Sequence, residues 1–310
     1  MRIRWNIVLV GLFVFWATAG YGATVGNIDS PGFALSVGAD QSSRAVEGDG
    51  KTLGSFSNSR ANLPTSNLER LQVGKFDGNE NLHRLYLRGS YGFDRFSVFL
   101  KVGVARLSPT IDNPVISDDA SNTSTGSASG GASSHGDVGG STDGGLFYGL
   151  GAQVTVFSQP SYRIAVNGSF LQHQYDFSSL LFRDTFHSAA GGVVTETTRD
   201  ARFDKATTQE LELALLVSGT PAGGFSPYGG VKLSSYKTKY DGKSSLVDRN
   251  DALSPAVETV ADSFSLKTKG KEWVGFFAGV SYDLAPHMGL NLELRAGEET
   301  GLTAAYTCRF

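Results

Sequence analysis

The last ten residues of the sequence read Gly301-Leu302-Thr303-Ala304-Ala305-Tyr306-Thr307-Cys308-Arg309-Phe310. The even positions, from Leu302 to Phe310, are apolar or aromatic, whereas the odd positions are mostly small or polar. Successive side chains of a β-strand point to opposite faces, so this alternation predicts a strand with one apolar face. A strand of this length is also sufficient to cross a bilayer at a tilt.

The same period of two recurs upstream, and together the segments predict about ten strands, with a range of roughly eight to twelve. They cover residues 33–38, 84–93, 96–105, 146–156, 162–170, 210–217, 230–234, 273–284, 290–295 and 301–310. The alternative is an exported soluble β-sandwich, but its strands would be shorter and its turn signals more regular.

Charged residues occupy only one of the two predicted faces. That face holds Arg84, Arg88, Lys101, Arg163, Glu210, Glu212, Lys232, Asp283, Glu293, Arg295 and Arg309, whereas the other is free of charge across the band. An arginine facing lipid at the bilayer midplane costs about 2–4 kcal/mol, so the charged face must point away from lipid. Because a spanning sheet must also pair all its backbone groups, we expect an all-β, antiparallel transmembrane barrel. Inward Phe99, Phe147, Trp273 and Phe277 predict a narrow or closed lumen.

The connections between the strands alternate in length. Short ones fall at residues 92–95, 158–161, 220–224 and 285–288, and long ones at roughly 41–82, 107–145, 176–207 and 241–271. This predicts short periplasmic turns and long extracellular loops. Aromatic residues beside the short turns predict a periplasmic girdle of Tyr91, Phe93, Phe96, Tyr162, Tyr282 and Phe310.

Three parts of the long connections have patterns of their own. Residues 68–76 alternate, which indicates an extracellular hairpin arm or an extra strand. Residues 121–134 are rich in glycine and serine and are expected to be flexible. Residues 176–207 mix apolar and charged side chains, which fits either a fold over the barrel mouth or an extension of the strand pair.

The first residues have the pattern of a secretory signal peptide, with Arg2 and Arg4 before an apolar run and small residues after it. We expect a signal peptide over residues 1–22, cleaved after Ala19 or Gly22, and a barrel domain over 23–310. An uncleaved anchor helix is the alternative. Cys308 is the only cysteine, so no intramolecular disulfide is possible. A formal net charge of −3 argues against nucleic-acid binding.

The stretch from Leu82 to Val104 joins two alternating strands through Tyr91-Gly92-Phe93-Asp94-Arg95, and residues 225–232 and the final Arg309-Phe310 have related patterns. Together they resemble a family of small bacterial outer-membrane β-barrel proteins of the porin-like or OmpA-like kind. The resemblance implies location in the outer membrane of the Gram-negative cell envelope and contact with its lipid. It also implies recognition of the C-terminal strand by the barrel-assembly machinery, through Tyr306, Cys308 and Phe310.

Three functions stay open at this stage. The first is a structural or surface-interaction barrel whose extracellular loops do the work, with an unidentified extracellular ligand. The second is a narrow porin-like channel for small solutes. Its lumen would be lined by Arg84, Arg88, Lys101, Arg163, Glu210, Glu212, Lys232, Glu293 and Arg295, although ion pairs that fill the lumen are the alternative for these residues.

The third is an enzyme acting at the rim, for which His173 beside Asp176 is the best candidate, with His83 also near the rim. No nucleophile elbow or metal-ligand spacing is present, so we expect no catalytic residues, no metal, no cofactor and no enzymatic activity.

Overall fold

The computed structural model describes residues 32–49, 52–58, 67–73, 75–112, 115–121, 128–134, 138–190, 193–219, 223–250 and 253–310. The predicted signal peptide lies outside the described residues. The strands are β1 (Gly32–Asp49), β2 (Thr52–Asn58), β3 (Asn67–Val73), β4 (Phe76–Phe93), β5 (Phe96–Asp112), β6 (Val115–Ser121), β7 (Ala128–Ser134), β8 (Val138–Gly139), β9 (Thr142–Ser158), β10 (Tyr162–Ala190), β11 (Val193–Gly219), β12 (Phe225–Asn250), β13 (Leu253–Gly270), β14 (Val274–Ala285), β15 (Met288–Gly297) and β16 (Thr300–Arg309). In these ranges no helix has the length and hydropathy of a membrane span.

Eleven of the described strands form a ring of antiparallel neighbours, and the small β8 pairs beside it with β5. In the lower part of the barrel, next to the short turns, ten of them lie side by side. Their order is β1, β4, β5, β9, β10, β11, β12, β14, β15 and β16. The ring closes where β1 pairs with β16, from Ala34 opposite Arg309 to Ser43 opposite Thr300. This confirms the predicted antiparallel barrel of about ten strands.

The ring changes its strand number with height. The lower part of β12 pairs with β14 and the upper part with β13, while β1 pairs with β16 below and with β13 above. The hairpin of β15 and β16 is short and ends at Glu298 and Glu299. Above that turn β13 lies directly beside β1, so the wall narrows from ten strands to eight.

One inward position was predicted wrongly because of this junction. Trp273 is 64% exposed rather than buried in the lumen. The pairing register of β12 shifts by one residue between the pair Lys237–Lys269 on β13 and the pair Leu233–Val274 on β14. As a result, odd-numbered residues face outward on β13, whereas even-numbered residues face outward on β14. A one-residue shift moves every side chain of a strand to the other face, so Trp273 follows the outward face of β13.

Much of what the sequence presented as long connections is built from strands. β10, β11, β12 and β13 continue well past the lower barrel as paired strands, so residues 176–207 extend the hairpin. Strands β2, β3, β6 and β7 form a second, four-stranded sheet, and β2 lies against β13. Residues 67–73 are therefore an extra strand. Of the Gly/Ser-rich segment, residues 128–134 form β7, and residues 122–127 lie outside the described residues.

The outer wall carries a continuous apolar belt, and within this belt the outward rows of the described strands contain no charged residue. Its exposed members include Leu87, Leu100, Leu150, Leu213, Leu233, Phe276 and Leu294. At the short-turn end, aromatic rings pair as predicted, with ring centroids 4.9 Å apart for Phe93 and Phe96 and 5.9 Å for Phe33 and Phe310. Lipid-facing residues of this kind are what a membrane barrel requires.

Candidate functional site

The interior of the barrel holds a network of charged side chains centred on Glu210 of β11. Arg44 of β1 and Arg84 of β4 both bind its carboxylate, and the Arg84 Nη1 to Glu210 Oε2 distance is 3.1 Å. In the ten-strand ring β1 lies five strands from β11 in either direction. The Arg44–Glu210 ion pair therefore connects opposite walls and crosses the lumen.

A second group lies around Asp40 of β1. Arg84 donates from Nε to Asp40 Oδ2 at 2.5 Å, and Arg295 of β15 binds the other carboxylate oxygen. The Thr303 hydroxyl of β16 also donates to Asp40 Oδ1, at 2.9 Å. Asp40 thus joins neighbouring strands on both sides of the closing β1–β16 seam.

The third group fills the place where the β15–β16 hairpin ends. Glu299 in the turn accepts from Arg44 Nε at 2.8 Å and from Arg295 Nη1 at 2.6 Å, and it also binds Lys232. Lys232 of β12 lies 2.9 Å from Glu212 Oε1 and 2.7 Å from Glu298 Oε1. Lys232 and Glu299 are both nearly fully buried, so the side chains of this turn fill the interior just below the level where the ring narrows to eight strands.

Above the apolar belt lies a carboxylate that has no cation partner among the described side chains. Glu80 of β4 accepts hydroxyl hydrogen bonds from Tyr236, Tyr240, Thr238 and Thr268, at 2.5, 2.5, 3.1 and 2.7 Å. The tyrosines lie above Leu233, the last apolar outward residue of β12, and so outside the membrane-spanning part. Burial and the charge of Glu80 raise the pKa values of both phenols, which keeps them protonated and donating.

Two further cations lie on aromatic rings instead of in ion pairs with Glu210. The Arg88 guanidinium carbon is 3.9 Å from the centre of the Phe99 ring, and Lys101 Nζ is 3.7 Å from that of Tyr86. Beside them lies a cavity of about 40 Å³, also lined by Asp40, Arg295 and Glu212. A cavity of this size between polar side chains is large enough for ordered water.

A larger concavity of about 1200 Å³ lies higher along the strands. Most of its lining is outward-facing, such as Leu85, Val104 and Leu146 at the upper edge of the apolar belt. Inward Asp40, Arg84 and Tyr175 also line it, so this concavity borders the wall beside the network.

Not every predicted lumen residue joins the network. Glu293 lies at the edge of the network, 3.9 Å from Arg295 Nε, and accepts from the Tyr228 hydroxyl at 3.2 Å. Asp283 binds Arg309 at 3.0 Å near the periplasmic end. Arg163 lies opposite Ser218 at the periplasmic end of β10, away from Glu210 and Glu212. Six residues separate it along β10 from Ser169, which donates to Glu212 at 3.2 Å.

The residues suggested for a rim enzyme do not come together. His173 is fully buried against Phe147 and Tyr175, whereas Asp176 is exposed on the opposite face of β10. His83 is exposed on the outer wall. Within the described ranges, no group of three His, Cys, Asp or Glu side chains is arranged to hold a metal ion.

Sequence reasoning missed four members of the network, Asp40, Arg44, Glu298 and Glu299. The first two continue the inward row Ser36, Gly38, Asp40, Ser42 and Arg44 of β1. Extending the predicted strand of residues 33–38 along this row would have identified both residues. The two glutamates lie in a short turn, where no alternation is available to assign a direction.

Gly275 gives a direct test of the packing around Glu298. A Cβ atom at this position would overlap the Glu298 carboxylate. We expect Gly275→Ala to displace Glu298 from Lys232 and to destabilise the barrel by about 1–3 kcal/mol, as overpacking does. The measurement is the temperature at which the folded, fast-migrating band disappears on a denaturing gel.

The matched control is Gly168→Ala, because a Cβ atom there would have its nearest neighbour at 4.0 Å. Equal conversion temperatures for the two variants would show that Glu298 is not packed against Gly275.

No protein-family model matches this sequence, and no curated protein matches it. Among solved structures, the outer-membrane protease OmpT from Escherichia coli is 10% identical with a TM-score of 0.40, covering 93% of this chain and 100% of that chain. The transport unit of the autotransporter AIDA-I from Escherichia coli is 7% identical with a TM-score of 0.32, covering 92% and 91%. The toluene transporter TbuX from Ralstonia pickettii is 12% identical with a TM-score of 0.27, covering 91% and 90%.

Similarity at this level says nothing about activity. The closed antiparallel sheet, its charge-free apolar belt and its charged interior define the class by themselves. A sheet can expose such a belt to lipid only if it closes, because lipid offers no partners to edge strands. The chain is an integral outer-membrane β-barrel protein.

Proposed function

We propose that this barrel has a closed lumen and acts through its extracellular end, in a structural or surface-interaction role. The observation that carries the proposal is the Arg44–Glu210 ion pair, which connects opposite walls of the ring. Around it, Asp40, Arg84, Lys232 and Glu299 occupy the space that a solute would need. Small barrels fill their interior with side chains in this way, whereas wide channels need many more strands.

The extracellular end has the structure that such a role requires. Strands β10 to β13 rise as a paired wall above the belt, and the second sheet of β2, β3, β6 and β7 adds backbone structure beside it. Surface elements carried by a rigid scaffold are common sites of binding. The proposal includes an extracellular ligand that is not identified. It also includes the resemblance to small porin-like or OmpA-like barrels, without assigning one of these families.

The proposal also includes recognition of the C-terminal strand during assembly and a role without catalysis. Tyr306, Cys308 and Phe310 lie on one outward row of β16, where the barrel-assembly machinery and outer-membrane lipid would contact them. The separation of His173 from Asp176 on opposite faces of β10 supports a role without catalysis.

Single-channel recording in planar bilayers tests the closed lumen. We expect the wild-type protein to add no steady conductance. The double variant Arg44→Ser/Glu210→Ser removes both charges together, so that neither is left buried without its partner. Its smaller side chains are expected to open a measurable conductance. The control is Lys239→Ser/Asp241→Ser, an exposed ion pair on β12 at 2.7 Å. A steady conductance of the wild-type protein would favour the narrow channel instead.

A further inference from the structure

Four lysines form a compact group on the outer wall of the barrel, above the apolar belt. Lys237 of β12 is directly opposite Lys269 of β13, and Lys239 is opposite Lys267. All four are exposed on the outward face. Residues directly opposite on antiparallel strands have Cβ atoms about 4.5–5.5 Å apart, so these four side chains are neighbours. We call this group the lysine square.

The charges of the lysine square are only partly compensated. Lys239 lies 2.7 Å from Asp241 and Lys269 lies 3.0 Å from Glu47. Lys237 has no carboxylate partner among the described side chains, whereas Lys267 lies opposite Asp49 of β1 on its other side. Each of these two faces another lysine directly across the strand pair. Like charges in that position are destabilising, so an anion between them would relieve the repulsion.

The height of the square relative to the membrane points to the source of that anion. On β12 the last apolar outward residue is Leu233, and Lys237 follows four positions later on the same face. Trp273 is 64% exposed and follows Lys267, Lys269 and Lys271 on the same outward row. Tryptophan is enriched at the membrane–water interface, so the lysines lie at the level of the lipid headgroups.

We propose that the lysine square binds the phosphate groups of lipid headgroups in the outer leaflet. Lysine ammonium groups bind phosphate as point charges, and four of them at one height offer several contacts to a phosphorylated headgroup. This site depends on the barrel and its orientation, not on whether the lumen is closed. A headgroup held here anchors the wall of β12 and β13 at the point where the barrel narrows.

The test uses the full-length folded protein in zwitterionic detergent micelles. The probes are phosphorylated lipid A, the same lipid with its phosphates removed, and inorganic phosphate. Binding is measured as the rise in the temperature at which the folded gel band disappears, because a ligand that binds only the folded barrel stabilises it. We expect phosphorylated lipid A to bind, the dephosphorylated lipid to bind more weakly, and inorganic phosphate to give no comparable shift.

The decisive variant is Lys237→Gln/Lys267→Gln, which removes one lysine from each of the two facing pairs. A basic residue near an anionic membrane surface contributes about fivefold in affinity, so we expect a loss of about 25-fold in binding. Lys237→Arg/Lys267→Arg is expected to keep binding. The matched control is Arg95→Gln/Lys243→Gln, which removes the same charge from two exposed positions, in a periplasmic turn and higher on β12.

Three results would overturn the proposal. The first is equal affinity of the glutamine variant and the wild type for phosphorylated lipid A. The second is equal binding of the phosphorylated and dephosphorylated lipids. The third is inorganic phosphate matching the phosphorylated lipid, which would indicate a site for a free anion.

Discussion

A Leu213→Arg variant is expected to fail to accumulate as a folded barrel in the outer membrane. Leu213 is 51% exposed on the outward row of β11 and lies opposite Leu233 of β12 within the apolar belt. An arginine facing lipid in that belt costs about 2–4 kcal/mol, which is a large share of the stability of one domain. Outer-membrane fractions run with and without boiling measure the outcome, since only a folded barrel shifts its band on heating. Val280→Arg on β14 is expected to have the same effect.

The matched control is Gln209→Arg, on the same strand and the same face but above the belt. It adds the same charge and length, and we expect normal levels of folded barrel. Changes within residues 121–134 are likewise expected to leave assembly intact. Normal levels of the Leu213→Arg protein would contradict the lipid-facing assignment of this row.

A Glu210→Gln variant is expected to unfold at a markedly lower temperature than the wild-type barrel. Glu210 is fully buried and binds both Arg44 and Arg84. Removing its charge leaves two buried guanidinium groups without their shared partner, and breaking a buried ion pair in this way costs about 3–5 kcal/mol. The measurement is the temperature at which half of the folded gel band is lost.

Glu272→Gln gives the charge-matched comparison, because Glu272 is exposed beside the junction of β13 and β14. We expect it to unfold close to the wild-type temperature. If both variants unfolded at the wild-type temperature, the network around Glu210 would contribute no stability. The double variant Arg44→Ser/Glu210→Ser is expected to lie between the wild type and Glu210→Gln, because it removes one cation with the anion.

The membrane-spanning strands could be predicted because they obey a local rule. On β4 the alternation from Arg84 to Phe93 appears directly in the structure as buried and exposed positions. The rule failed at Trp273, where a one-residue shift in pairing reverses the faces. A change of register arises from the partner strand, and the sequence of β14 contains no sign of it.

The candidate site was predicted only in part. The inward direction of Arg84, Glu210, Lys232 and Arg295 follows from their positions in alternating strands. Their partners do not, because Arg44 and Glu210 are 166 residues apart in sequence and meet only across the closed ring. Arg163 shows the same limit, since it shares the inward face but lies at the wrong height to reach a glutamate.

The sequence by itself determined the class of the protein. About ten alternating strands, long enough to cross a bilayer and charged on one face only, fit a sheet between lipid and a polar interior, whereas a soluble sandwich has shorter strands. The sequence also determined the number of spanning strands to within a few. The tertiary structure decided which charges meet, how the ring narrows from ten strands to eight, and that Glu298 and Glu299 close the interior at that level. The physical reason is that side-chain direction depends on neighbours in sequence, whereas height and pairing across a barrel depend on the register of every strand in the ring.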